Sequence, residues 1–117
     1  MRGGIAKNYT RKLVGGVVIL PMMLASAAAE KPDLSANAML GKMDVSDHYP
    51  FIAGIIEGIA YHRYITGNKD KAAMDCVYDW FYEDDKSVDT IYVALAKFPS
   101  HPPAAVIAAL ANRKCEE

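Results

Sequence analysis

The chain has 117 residues, with 13 Lys and Arg against 14 Asp and Glu, a formal charge of −1 and a hydrophobic content of 52%. This length allows one small domain, and the charge offers no basic stripe of the kind that nucleic acid requires. Its two cysteines form no C-x-x-C pair, so the spacing used by structural zinc and by thioredoxin-like redox centres is missing.

The first 29 residues read as a secretory signal peptide. Arg2, Lys7, Arg11 and Lys12 are basic, and no acid precedes Glu30. An apolar run follows from Leu13 to Leu24, broken by Pro21, and then the small residues Ala25-Ser26-Ala27-Ala28-Ala29. A basic start, a short apolar stretch and an A-x-A site are the parts of a cleavable leader. The competing reading is a membrane anchor, since a spanning helix needs about 20 apolar residues. Pro21, the small-residue tail and the switch to Glu30-Lys31-Pro32-Asp33 favour cleavage after Ala29. The expected location is the periplasm, with full secretion left open and no membrane attachment after cleavage.

Residues 30–117 then form the working domain. All 14 acids but only nine of the 13 basic residues lie in it, which brings its charge near −5. A chain this short buries only about 60–65% of its unfolded surface, so its stability margin is thin. In an oxidising compartment Cys76 and Cys115 have one possible pairing. A bridge closing about 40 residues is worth roughly 4 kcal/mol in the chain-entropy model. The alternative is one reactive and one structural thiol.

The pattern predicts an all-α bundle of about five short helices. Leu34, Ala38, Met39 and Met43 suit one face of a first helix over Ser35–Met43, with Ser35 as its cap. The second begins at Ser46 or Asp47, carries Pro50 early, and presents Phe51, Ile52, Ile55, Ile56 and Ile59 before Thr66-Gly67-Asn68 ends it. Gly54 and Gly58 lie four apart on it, which points to close approach of another helix. Asp70 opens a third helix over Lys71–Tyr82, with Ala73, Cys76, Val77, Trp80 and Phe81 facing inward. A fourth starts near Ser87 and carries Val88, Ile91, Tyr92, Leu95 and Phe98. Pro102 or Pro103 starts the last, lined by Val106, Ile107, Leu110 and Ala111, with Cys115 at its end.

Nothing in the chain outlines a catalytic centre. His48, His62 and His101 have no partner at metal-ligand spacing and read as surface or half-buried histidines. Most serines stand at cap positions, none sits in a G-x-S-x-G elbow, and no phosphate-binding glycine loop is present. Neither a metal nor a cofactor is therefore expected. Asp75 and Asp79 read as the wet face of the third helix. The surface that stands out is aromatic and acidic: Tyr78 and Tyr82 share a face, and Glu83-Asp84-Asp85 follow. Tyrosines are favoured in protein interfaces, so these five residues are the candidate partner-binding set. The bland reading is a solvated turn beside half-buried tyrosines. A homodimer is left open.

Several of these features occur together in a known family. Phe51-Ile52-Ala53-Gly54-Ile55-Ile56-Glu57-Gly58 precedes Cys76; Phe98-Pro99-Ser100-His101-Pro102 follows; and Ala104-Ala105-Val106-Ile107-Ala108-Ala109-Leu110 leads to Cys115. Over residues 45–115 this resembles the Tai-like family, the small periplasmic immunity proteins of bacterial type VI secretion. Lys114 stands where that family usually has a proline before its last cysteine. The resemblance implies a helical, disulfide-bonded protein without catalysis that binds a peptidoglycan-cleaving amidase toxin and blocks its cleft. The turn Glu83–Lys86, beside Tyr82, is the first candidate for the plugging loop on position alone. The alternative is a periplasmic acid-stress chaperone resembling HdeA, also small, helical and singly bridged. The acidic composition suits it, but the mid-chain position of Cys76 does not.

Overall fold

The computed structural model describes residues 30–116, and the leader expected over residues 1–29 lies outside them. From Asp33 onward the described chain forms one unit. It contains α1 (Ala36–Lys42), α2 (Val45–Thr66), α3 (Lys71–Tyr78), α4 (Ser87–Lys97) and α5 (Pro103–Cys115), and no strand among the described residues. No helix among them is long and apolar enough to cross a membrane. Cys76 and Cys115 are joined in a disulfide with their Cα atoms 5.9 Å apart, tying α3 to the end of α5.

Local signals set most of the helix boundaries. Ser35 caps α1, its hydroxyl accepting from the Ala38 N–H at 3.2 Å. The Asp70 carboxylate accepts from the Ala72 N–H at 2.9 Å and so caps α3. Pro103 occupies the first position of α5, where a missing N–H costs nothing. The proline-rich turn before it also serves α1: the N–H groups of Ala36 and Asn37 donate to the carbonyls of His101 and Pro99, at 2.7 and 2.9 Å. Those first-turn donors would otherwise have no partner inside the helix.

α2 starts earlier than Ser46 or Asp47. Its N-cap is Asp44, without a side-chain cap bond, and Pro50 falls inside the helix. The cause is His48, which is buried rather than at the surface. Its Nε2 lies 3.1 Å from the Met43 carbonyl, and its ring sits 6.0 Å from Tyr92. That anchor fixes the turn preceding Pro50. At the other end Arg63 donates to the Asn112 side chain at 2.6 Å and lies 3.5 Å from Glu116, which ties α2 to α5.

The core is built from Ile52, Ile56, Val77, Ile91, Leu95 and Ile107, all fully buried. Only part of each expected stripe reaches it. In α2 the inner row is Ile52, Ile56 and Ala60, Ile55 and Ile59 flank it, and Phe51 is exposed. Leu34 and Phe98 are exposed as well, because they lie outside α1 and α4. Gly54 and Gly58 correct a second expectation: a Cβ on either would meet no atom within 4 Å. The row that α2 turns toward its neighbours is that of Ile52 and Ile56; the glycines are not packed against another helix, and Gly58 only borders an open groove shared with Ala104 and Ala108 of α5.

Candidate functional site

The third helix does not continue as α to Tyr82. After Tyr78 it widens into a π turn, Asp79–Glu83. Through this turn Tyr78 and Tyr82, four residues apart, stay on one face and both reach the same point on α2. That point is Glu57: its Oε2 accepts from the Tyr78 hydroxyl at 2.7 Å, and its Oε1 from the Tyr82 hydroxyl at 3.1 Å. Trp80 and Phe81, between the two tyrosines, are both buried.

Ser87 holds the end of this turn. It is buried, and its Oγ lies 2.9 Å from the Phe81 carbonyl and 2.8 Å from the Asp84 carbonyl. One hydroxyl has one proton, so the two carbonyls share it. Ser87 thus satisfies carbonyls of the preceding turn instead of capping the start of α4, where Lys86 is the N-cap.

The result is an aromatic patch with a carboxylate at its centre. Tyr49 of α2 stacks on Phe81 at 5.7 Å, and Phe81 meets Tyr82 edge-on at 4.8 Å. Tyr78 and Tyr82 lie 6.1 Å apart. Tyr49 and Tyr82 are each 49% exposed, so fixed rings offer about half of their area to solvent. Both phenols of the Glu57 pair hold their protons more tightly than usual. For Tyr78 the main cause is the hydrogen bond to Glu57, then burial, then the charges of Glu57, Tyr82 and Asp75. For Tyr82 it is burial first, then the hydrogen bond to Glu57, with the charges of Glu57 and Tyr49 behind.

The five candidate residues separate into two adjoining faces. Tyr78 and Tyr82 turn toward Glu57 on α2. Glu83 and Asp84 instead line a groove of about 700 Å³ beside the disulfide, with Asp75, Asp79 and Lys114. Asp84 is held in place: its Oδ1 accepts from the Lys86 N–H at 3.0 Å and its carbonyl accepts from the Ser87 hydroxyl at 2.8 Å. Asp85 is exposed and carries the acidic character of the turn outward. Asp75 and Asp79 are exposed, as a wet helix face requires.

Sequence reasoning missed Glu57 and Tyr49. Glu57 reads only as an interruption of an apolar helix, and its partners lie 21 and 25 residues away. Among the described residues no group of three His, Cys, Asp or Glu side chains is arranged to hold a metal ion. No family model, curated protein or solved structure matches the chain.

Proposed function

We propose that this is an exported, non-catalytic binding protein of the periplasm that neutralises a peptidoglycan-cleaving amidase of type VI secretion. The observation that carries the reading is the Glu57–Tyr78–Tyr82 clamp, which holds half-exposed aromatic rings beside the acidic turn. Rigid aromatic area with a polar tip is the usual anchor of a protein interface, because little side-chain freedom is lost on docking. The acidic turn suits a partner whose contact surface is basic, and charge complementarity of this kind raises the association rate. The disulfide supports the reading by fixing the helix that carries both tyrosines.

The test is co-expression in the periplasm with a peptidoglycan-cleaving type VI secretion amidase, followed by measurement of affinity with purified proteins. Wild type is expected to prevent lysis. Tyr82→Ala and Asp85→Lys, checked for unchanged thermal melting, each weaken binding at least about tenfold. Unaltered affinity in both variants removes this face as the interface. Protection of unrelated proteins from aggregation at low pH, without amidase binding, favours the acid-chaperone function instead.

A further inference from the structure

A second surface, independent of the aromatic patch, lies between α4 and α5. Ala94 and Phe98 form one wall, and Ala105, Val106, Ala109 and Leu110 the other, around about 270 Å³. A further stretch of about 280 Å³ continues to Thr90, Trp80 and Lys114. Leu110 and Arg113 border both stretches, so the two adjoin along α5 and are treated together as one slot. From Thr90 to Phe98, the residue that closes the end of α4, the span is about 12 Å at 1.5 Å per residue. Three alanines keep the slot open, and Phe98 is 48% exposed at its edge.

The rim of this slot is cationic. Arg113 stands where the two stretches meet, and Lys114, which also borders the acidic groove beside the disulfide, stands at one end. No acidic residue lines either stretch. The three other grooves described each contain a carboxylate: Glu116 in one, Asp33 in another, and Asp75 with its neighbours in the third. Neither Arg113 nor Lys114 forms an ion pair among the described residues. Basic residues in the last turn of α5 suit the helix dipole, but that alone does not set them over an apolar slot.

Size decides between occupants. A partner helix is about 10–12 Å across with its side chains. The two stretches, about 270 and 280 Å³, together reach the range of small-molecule pockets, which begins at ~300 Å³, and neither alone has room for a helix. We propose that the α4–α5 slot binds a single-chain anionic amphiphile, its alkyl chain along Ala94, Ala105 and Ala109 and its carboxylate on Arg113. The guanidinium fork pairs with a carboxylate through two parallel hydrogen bonds, whereas a cationic head is repelled.

The probe is sodium decanoate below its micelle concentration, followed by calorimetry and by emission from Trp80, the chain's one tryptophan. Saturable one-to-one binding is expected. Loss of two methylenes, in octanoate, weakens it about fifteenfold. Decyltrimethylammonium, with the same chain and the opposite head, binds at least about tenfold more weakly. Arg113→Glu reduces decanoate affinity by a similar factor, and Ala109→Leu blocks the slot while thermal melting is unchanged. Should Arg113→Glu not fold, Arg113→Gln provides the same comparison. Equal binding of both amphiphiles, no saturable decanoate binding, or undiminished affinity in the folded Arg113 variant overturns the proposal. So does binding to phosphatidylglycerol vesicles without binding to free decanoate.

Discussion

Gly54 and Gly58 stand in the interior of a 22-residue helix and face open space. Glycine there costs about 1 kcal/mol relative to alanine, with no contact to compensate. Gly54→Ala and Gly58→Ala are therefore expected to stabilise the protein by about 0.5–1 kcal/mol each, read as a rise of several degrees in a thermal melt. Gly67 behaves oppositely, since a Cβ there would lie 2.9 Å from the Arg63 carbonyl. Gly67→Ala destabilises by about 1 kcal/mol, because the obstructing atom is backbone and cannot turn aside. Ser87→Ala takes the hydroxyl donor from the buried Phe81 carbonyl, while the Asp84 carbonyl keeps the Ser87 N–H at 3.2 Å, and costs about 1–3 kcal/mol in denaturant unfolding. The three roles were not equally legible. Spacing revealed the paired glycines but not the side on which α2 would turn them. Ser87 looks like an ordinary cap because its two acceptors are backbone atoms that no residue pattern encodes.

At the scale of elements, chemistry within a few residues was readable and chemistry across helices was not. Ser35, Asp70 and Pro103 mark helix starts through their own side chains, and the fold uses each of them there. The start of α2 depends on His48 reaching Met43 and Tyr92, the second of these 44 positions away, so no local signal announces it. The π turn has the same character, being held by Glu57 from α2 and by Ser87 from α4. This turn gives a pH prediction. The pKa values of Tyr78 and Tyr82 are raised, so the folded state holds those protons more tightly than the unfolded chain. The associated stability is fully present below about pH 10 and is lost as pH climbs from there through the raised values. In an alkaline titration followed by ultraviolet difference absorbance, two of the chain's seven tyrosines ionise late. Glu57→Ala returns them toward the ordinary range; a titration unchanged by that variant contradicts the clamp.

For the molecule as a whole, a small domain depends on a covalent closure. The helical class and the Cys76–Cys115 pairing were legible because a short chain with two cysteines has few other ways to become stable. The partner-binding face was legible only in outline: Tyr78 and Tyr82 stood out, but Glu83 and Asp84 turned toward the disulfide groove. The bridge spans 39 residues and contributes about 4 kcal/mol by loop closure. A domain of this size has a total margin of roughly 5–10 kcal/mol, so the bridge supplies a large share of it. It also fixes α3, the helix that carries the π turn and its tyrosines, against α5. The most direct test is thermal unfolding of the oxidised protein beside the Cys76→Ala/Cys115→Ala variant. A fall of about 20 °C in the midpoint is predicted, from about 4 kcal/mol at 4–8 °C per kcal/mol. Equal midpoints would contradict the account.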